Sequence, residues 1–344
     1  MKMLILGASY GSLLSTKLLM AGHDVTLICR EQSAALINDK GTFVRIRLRD
    51  EADHRTIWSG DLPGCVNAVP PQQAHPEEYD MIGLAMQEPQ YSAPAVRALM
   101  GRIAASGKPC LSIMNMPPPP YLRRIKALSD VSLADCYSNP EVWDAFEPGL
   151  MTLCSPDPQA FRPPEEESNV LQVGLPTNFK TAEFADPAHN ALLHQMEQDI
   201  IDVRLDGKDV GVKLRVFESL FVPMAKWSML LTGNYRCILA DRIQPIRDAV
   251  HNDLDASAAV YAWVDALSRK LGADAADHVP FEKYAKAAEN LLNPSSAARA
   301  IDGGATSIER VDRIVQAIGK HLGMQNDTVD LIVATVDARL SVNK

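Results

Sequence analysis

The sequence predicts an α/β fold in which a domain with a mostly parallel sheet precedes an all-α domain. A strand, a helix and a second strand follow one another within about the first 30 residues, the unit from which parallel sheets are built. The chain has 344 residues, more than one hydrophobic core usually holds. From about residue 187 the apolar spacing becomes helical. We therefore expect domains over 1–204 and 205–344.

Short apolar runs alternate with helical patterns through the first domain. Residues 2–6 and 25–29 predict strands, and residues 13–21 predict a helix that ends at Gly22. Residues 137–170 predict a solvated, irregular excursion, because they hold many prolines and an acidic run. The remaining predicted elements are helices over 33–39 and 94–105, strands over 42–48, 81–86 and 109–114, and an edge strand over 170–174.

The second domain is predicted from helical patterns alone. Pro223 begins one run, which passes through Lys226 and Trp227. The other predicted helices of this domain cover 208–219, 248–271 before Gly272, and 306–322 before Gly323, whereas a helix predicted over 188–200 closes the first domain.

Composition limits the classes of function. A net charge of -9 argues against a nucleic-acid surface as the main function. The sequence lacks an apolar run of about 18 residues, so we expect no transmembrane helix. The first 20 residues match a signal peptide poorly, and we expect a cytoplasmic protein. The six cysteines form no CxxC pair, so neither a metal site nor a redox motif is expected.

The loop after the first strand predicts dinucleotide binding. Small residues are needed there for a tight turn, for close approach of the pyrophosphate and for helix–strand packing. Gly7, Ser9 and Ser12 occupy these three places, with Gly11 beside the last. The alternative is a simple tight turn in a parallel α/β domain. The predicted cofactor-binding loop is Gly7-Ala8-Ser9-Tyr10-Gly11-Ser12.

The end of the second strand favours NADPH over NADH. An NAD site usually carries an acidic residue there, which accepts hydrogen bonds from the ribose hydroxyls. This chain has Arg30 instead, and a guanidinium can pair with a 2′-phosphate. Glu31 follows directly, and its negative charge weakens the preference that Arg30 indicates. The alternative is a solvated arginine at a strand end.

Several residues beyond the cofactor loop follow a pattern shared with known enzymes. The second strand continues as Val-Thr-Leu-Ile-Cys-Arg, and a later strand ends in an asparagine. The matching residues are Asn115, Lys226, Asn234, the pair Ser295-Ser296 and Glu309. Over most of its length the sequence thus resembles the ketopantoate reductase (2-dehydropantoate 2-reductase) family. The resemblance implies a Rossmann-type domain, a C-terminal domain similar to the 6-phosphogluconate dehydrogenase type, NADPH and the reduction of 2-dehydropantoate to pantoate in pantothenate biosynthesis.

The resemblance implies a role for each matching residue. Lys226 is the general acid and the cation near the carbonyl oxygen. Glu309 holds the ammonium and completes a proton relay. Asn234, Ser295 and Ser296 bind substrate, whereas Asn115 touches both nicotinamide and substrate. Gln87 stands near the cofactor, where the family has a lysine.

Ordinary structural roles are open for the same residues. Lys226 can pack its stem on Trp227 at the surface, and Asn234 can belong to a turn after Gly233. Glu309 can pair with Arg313 one helical turn later. The serines can cap a helix, and Asn115 can cap a loop.

Departures from the family pattern leave the substrate open. Leu230 stands where an asparagine is expected, and Ala297 stands where the family has a methionine. The favoured function is an NADPH-dependent reductase of a small 2-oxo acid. The alternatives are an opine-type or other hydroxyacid dehydrogenase and a non-catalytic NADP(H)-binding sensor. We expect no nucleic-acid or membrane partner, and long helices that can bury a homodimer face.

Overall fold

The structure is a computed structural model that describes residues 1–7 and 10–344. The chain divides into two compact units, which we call the sheet unit and the helical unit. The sheet unit contains Met1–Met86, Gln90–Arg124 and Glu141–Glu218. The helical unit contains Gln87–Pro89, Ile125–Pro140 and Ser219–Lys344.

The strands and helices are numbered in chain order. The strands are β1 (Lys2–Leu6), β2 (Asp24–Ile28), β3 (Phe43–Arg47), β4 (His54–Trp58), β5 (Val66–Val69), β6 (Met81–Leu84), β7 (Cys110–Ile113), β8 (Met151–Ser155), β9 (Gln159–Phe161), β10 (Val170–Leu175), β11 (Phe179–Ala182), β12 (Arg204–Leu205), β13 (Lys208–Asp209) and β14 (Leu214–Phe217). The helices of the sheet unit are α1 (Tyr10–Met20), α2 (Glu31–Lys40), α3 (Pro94–Ser106), α4 (Pro119–Leu122) and α5 (Pro187–Asp202). Those of the helical unit are α6 (Lys226–Met229), α7 (Ile246–His251), α8 (Leu254–Leu271), α9 (Phe281–Ala288), α10 (Ser296–Asp302), α11 (Val311–His321) and α12 (Asp327–Val342).

The large sheet has the strand order β14-β11-β8-β7-β6-β1-β2-β5. β1 lies between β2 and β6 and runs parallel to both. The chain proceeds from β1 towards β2 on one side and later builds β6 and β7 on the other, so the strand order reverses between β1 and β6. Ligands of open α/β sheets bind beyond the carboxyl ends of the strands at such a reversal.

The apolar runs of β1 and β6 form central strands because both faces of the sheet are covered. Residues 3–6 and 81–84 are buried along their whole length. Leu14 and Leu18 of α1 pack against the same core. The expected α/β fold with a mostly parallel sheet is confirmed.

A smaller sheet, in the order β4-β3-β10-β9, accompanies the large one. The predicted strand over 42–48 is confirmed as β3, with Val44 and Ile46 buried. β10 pairs parallel to β3 and antiparallel to β9. The prediction of an edge strand over 170–174 is therefore wrong, since β10 has a neighbour on each side.

Two further predictions in the sheet unit are wrong. The interval 137–170 is not simply a solvated excursion, because β8 is buried and lies between β7 and β11 in the large sheet. Residues 208–219 do not form a helix. Val212 has φ of 64°, which a right-handed helix excludes, and β14 follows in parallel pairing with β11.

In the helical unit, two helices begin later than the sequence predicts. The run over 248–271 is interrupted before α8, where the Asp253 side chain accepts a hydrogen bond from the Ala256 amide and caps the new helix. The helix predicted over 306–322 begins only at α11. Gly272 ends α8 in a left-handed conformation, as predicted.

The sheet unit extends past the predicted boundary at residue 204, because β14 is a strand of the large sheet. The segment Ile125–Pro140 belongs to the helical unit, although it precedes β8 in the chain. Within the described residues no helix is long and apolar enough to cross a membrane.

Candidate active site

Gly7 lies at the reversal of strand order, directly after β1. Its φ is +102°, and a Cβ atom there would stand 2.4 Å from the carbonyl oxygen of Ala85, which follows β6. The Gly7 amide donates a hydrogen bond of 3.3 Å to Ile28 O at the end of β2. Only glycine fits this position, because any side chain would collide with the backbone that follows β6.

The start of α1 packs closely on the first strand. A Cβ atom on Gly11 would stand 2.8 Å from Cγ2 of Ile5, so the absence of a side chain permits the contact. Ser12 is buried, and its carbonyl accepts a hydrogen bond from Thr16. The described part of the loop thus shows the tight turn at Gly7 and the close helix–strand packing at Gly11. Ala8, Ser9 and the side chain of Tyr10 lie outside the described residues.

The carboxyl end of β2 presents Arg30. The residue is exposed and occupies the N-cap position of α2 in an extended conformation, with φ of -68° and ψ of 151°. Its side chain makes no capping bond to the helix. Arg30 therefore lies between the carboxyl end of β2 and the first residue of α2.

The carboxyl ends of β6 and β7 carry the other cofactor candidates. Asn115 follows β7 in the sheet unit and is half-buried. Gln87 follows β6, is exposed and clusters with the helical unit. Beside it, Glu88 is buried and accepts hydrogen bonds from the amide and hydroxyl of Ser138, and burial raises the pKa of its carboxyl. Sequence reasoning missed Glu88, because a single glutamate in a loop carries no pattern.

Lys226 and Asn234 lie on one continuous helical segment of the helical unit. Lys226 begins α6 and is half-buried, and residues 230–234 continue as a π-helix. In a regular α-helix, residues eight apart differ by about 80° around the axis. A π-turn contains more residues per turn, so it reduces that angle and turns Asn234 towards the face of Lys226.

Two hydrogen bonds bring the other polar candidates towards Asn234. Ser295 Oγ donates to the carbonyl oxygen of Asn234 over 2.7 Å. Tyr235, the next residue, donates its hydroxyl to Glu309 O over 2.6 Å and accepts from the Val311 amide. The side chains of Ser295 and Tyr235 therefore link the end of the π-helix to the segments that contain Ser295 and Glu309.

A buried ion-pair cluster holds the chain beyond Glu309. Arg310 binds both carboxylate oxygens of Asp312 and also contacts Asp337. Arg313 pairs with Asp337 over 2.8 Å. Because Asp312 is fully buried and doubly bonded, this cluster fixes the start of α11 and the residue before it.

Comparisons with known proteins show that this architecture occurs in other solved structures. No family model and no curated protein matches the chain. Solved structures do match over nearly the whole length. A protein from Ralstonia solanacearum MolK2, provisionally named a ketopantoate reductase, has a TM-score of 0.72 at 16% identity, covering 99% of this chain and 98% of its own.

Two other structures match nearly as well. A 2-dehydropantoate 2-reductase from Methylococcus capsulatus has a TM-score of 0.67 at 12% identity, over 97% of this chain and 95% of its own. A D-mandelate dehydrogenase in complex with NADH and anilino(oxo)acetate has a TM-score of 0.66 at 13% identity, over 100% and 99%. The fold is that of the ketopantoate reductases.

For two of the matching residues, Glu309 and Ser295, the structure differs from what the ketopantoate reductase pattern implies. Glu309 is not on a helix but in the segment before α11, and the alternative pairing partner Arg313 contacts Asp337. Ser295 is the N-cap of α10, where its Oγ accepts from the Ala298 amide. Ser296 is exposed at the first position of the same helix.

Proposed function

We propose that this protein is a nicotinamide-dependent reductase of a small 2-oxo acid, with NADPH as its cofactor and Lys226 as its general acid. The observation that carries the proposal is the Gly7 turn at the reversal of strand order. A glycine turn at this place is typical of dinucleotide sites, and nearly the whole chain follows the ketopantoate reductase fold.

When bound, the nicotinamide supplies the hydride that reduces a carbonyl carbon. The chain must then stabilise negative charge on the carbonyl oxygen and deliver a proton to it. Lys226 can do both with one ammonium group, since a cation near the oxygen favours the transition state and its proton completes the hydroxyl. Lys226 is half-buried at the start of α6.

The residues around Asn234 would bind and orient the substrate. Ser295 donates its only hydroxyl proton to Asn234 O, so it positions the backbone of Asn234 rather than offering a proton to a carboxylate. The exposed hydroxyl of Ser296 remains our candidate for that carboxylate. We infer that Glu309 holds the Lys226 ammonium and that Asn115 orients nicotinamide and substrate.

A second candidate function is an NADH-dependent hydroxyacid dehydrogenase with a bulkier, apolar substrate. The D-mandelate dehydrogenase that shares this fold was solved with NADH and an anilino-substituted oxo acid. Leu230, one turn after Lys226, places an apolar residue where the family has an asparagine. An apolar side chain at this position favours an apolar substituent on the oxo acid.

Cofactor oxidation separates these candidates. The purified chain would be mixed with NADPH or NADH and with ketopantoate, pyruvate or phenylglyoxylate, and absorbance of the reduced nicotinamide followed. The proposal expects turnover with NADPH and a small aliphatic 2-oxo acid. Turnover with NADH and phenylglyoxylate would establish the second candidate instead. Tight NADPH binding without turnover of any oxo acid would contradict both reductase assignments.

A further inference from the structure

A glycine lies inside the helical segment that joins Lys226 to Asn234. Gly233 is buried, and its backbone is helical rather than left-handed, so its conformation alone does not require glycine. Glycine destabilises the interior of a helix relative to alanine, because it has more conformational freedom to lose. A contact with the rest of the helical unit must therefore explain why this position lacks a side chain.

The side chain of Tyr284 fills the space beside Gly233. A Cβ atom on Gly233 would collide with Oη of Tyr284, whereas the nearest atom of the ring, Cζ, would stand 3.4 Å away. The other close neighbour is Cγ2 of Ile246, at 3.1 Å from the same position. The hydroxyl group of Tyr284 therefore occupies the place that any side chain at residue 233 would need.

The same hydroxyl group bonds to the helix where the helix widens. Tyr284 Oη donates a hydrogen bond of 3.2 Å to the carbonyl oxygen of Met229. Met229 ends α6, and the π-helix begins at the next residue. In a regular α-helix this carbonyl would accept from the amide of Gly233, four residues later. A side chain that inserts into the ladder of helical hydrogen bonds is a known cause of local distortion.

The backbone hydrogen bonds show where the spacing changes. The Leu230 amide donates to Lys226 O, four residues back, as in an α-helix. The Tyr235 amide donates to Leu230 O, five residues back, as in a π-helix. The change from one spacing to the other thus falls in the part of the segment that contacts Tyr284.

Tyr284 itself is held in place within α9. Its side chain belongs to a buried cluster with Val250 and Tyr261, and its ring stacks on the ring of Tyr261 with 5.7 Å between the centroids. Burial raises the pKa of the Tyr284 hydroxyl, so the group keeps its proton and remains a hydrogen-bond donor. A fixed ring with a permanent donor is suited to hold one particular helical geometry.

We propose that Tyr284 is a positioning residue of the candidate active site, whose hydroxyl holds the π-turn that brings Asn234 to the face of Lys226. The effect on substrate rests on the proposed function, whereas the contact with the π-turn lies within the helical unit. If the π-turn relaxed to an α-helix, Asn234 would return to about 80° from Lys226 around the axis. Asn234 would then no longer share the face that carries the proposed general acid.

Tyr284→Phe removes the hydroxyl group and keeps the ring. We expect KM for the 2-oxo acid to rise about 3- to 10-fold, because Asn234 loses about one hydrogen bond to the substrate. The value of kcat should stay unchanged, as when an interaction serves only to bind substrate. Tyr261→Phe is the matched control, because its hydroxyl donates over 2.8 Å to Val279 O rather than to the π-turn. This control should keep the KM of the unmodified protein.

Alanine at position 233 tests the contact directly. Gly233→Ala brings a methyl group against Tyr284 Oη, so it should raise KM at least as much as Tyr284→Phe does. In the double variant Gly233→Ala/Tyr284→Phe, the nearest ring atom is an ordinary contact at 3.4 Å. Adding Gly233→Ala to Tyr284→Phe should therefore change KM less than about twofold. If the two substitutions instead multiply their effects on KM, the hydroxyl and Gly233 act independently and the inference is overturned.

Hydrogen exchange provides a readout that does not depend on turnover. Mass spectrometry of peptides that cover residues 230–237 would compare the unmodified protein with Tyr284→Phe and Tyr261→Phe. Tyr284→Phe should speed exchange of these amides about 3- to 10-fold, because the π-turn loses one of its hydrogen bonds. Tyr261→Phe should leave their exchange unchanged. Equal exchange in all three proteins would overturn the role of Tyr284.

The kinetic and exchange measurements separate this inference from the proposed function. If the unmodified protein reduces no 2-oxo acid, the proposed function fails, and the exchange comparison alone decides whether Tyr284 holds the π-turn. If it reduces one and Tyr284→Phe keeps the same KM, the proposed function stands and the positioning role is overturned. Equal rises in KM for Tyr284→Phe and Tyr261→Phe would also overturn it, because they would indicate a general loosening of the buried cluster.

Discussion

At the scale of single residues, Gly7 is the most constrained position of the candidate site. A methyl group there would stand 2.4 Å from Ala85 O, and the φ of +102° is one that L-residues rarely adopt. We predict that Gly7→Ala destabilises the fold by at least about 1–3 kcal/mol and weakens NADPH binding at least tenfold. Denaturant unfolding and calorimetric titration measure the two effects.

Gly101 is the matched control for this substitution. It lies within α3, and a Cβ atom there would have no neighbour within 4 Å. Gly101→Ala should stabilise the protein by about 0.4–1 kcal/mol through the unfolded chain and leave cofactor affinity unchanged. If Gly7→Ala behaves like Gly101→Ala, the turn at residue 7 does not approach a pyrophosphate.

Lys226 is the residue on which the proposed chemistry depends. We predict that Lys226→Met lowers kcat by about 10²- to 10⁴-fold, because the substitution removes the proton donor and the cation. NADPH affinity should remain, since the Gly7 turn belongs to the sheet unit. Lys283→Met, on the exposed surface of α9, is the control and should retain full activity. Equal activity of both variants would remove Lys226 from the mechanism.

Among the secondary-structure elements, α1 is anchored by a buried lysine. Lys17 Nζ donates to Val210 O and Gly211 O, both over 3.2 Å, while its side chain is almost fully buried. Burial, followed by the neighbouring charge of Lys213, lowers the pKa of Lys17 from 10.5 to about 7. The anchor joins the helix of the cofactor loop to the chain before β14.

The lowered pKa of Lys17 predicts how stability depends on pH. The unfolded state keeps the lysine protonated up to about pH 10.5, whereas the folded state releases the proton from about pH 7. Between these values the unfolded state binds more protons, so this group makes stability rise with pH by up to about 1.4 kcal/mol per pH unit. Denaturant unfolding at pH 7 to 10 should show the rise, and Lys17→Met should lose it.

Lys283→Met again provides the comparison, since its exposed ammonium interacts with solvent. The difference in unfolding free energy between the unmodified protein and Lys17→Met should change steadily between pH 7 and 10. Parallel pH profiles for these two proteins would show that Lys17 titrates normally in the folded state.

The helix α10 depends on Ser295 in two ways. The side chain caps the helix through the Ala298 amide and holds Asn234 by its carbonyl oxygen. We predict that Ser295→Ala costs about 1–2 kcal/mol of stability and raises KM for the oxo acid, because Asn234 loses its support. Ser296→Ala should leave stability unchanged, since Ser296 is exposed. If Ser295→Ala is destabilised but has an unchanged KM, Ser295 serves only as the cap of α10.

The elements also show what sequence could predict. β1, α1, β2 and α5 follow local periodicity and caps, so their positions were predicted closely. β8 was missed because a five-residue apolar run between proline-rich segments has no period, and its identity comes from pairing with distant β7. The helix predicted over 208–219 failed for a related reason, since β14 forms only through its pairing with β11.

The candidate site divides in the same way. Gly7 and Arg30 were accessible to sequence reasoning, because a strand, a turn and a second strand fix their places within one local unit. The clustering of Asn234 with Ser295 and Glu309 was not, because it depends on contacts between residues more than 60 positions apart.

For the whole molecule, cofactor binding should appear as added stability of the sheet unit. NADPH that binds only the folded chain stabilises it by about 2.7 kcal/mol at a concentration 100 times its Kd. We predict that NADPH raises Tm in scanning calorimetry and slows hydrogen exchange at the N-terminus of α1 and at residues 29–31. Lys226→Met should retain the shift and Gly7→Ala should lose it. If NADPH instead protects only residues 219–344, the dinucleotide site does not lie at the Gly7 turn.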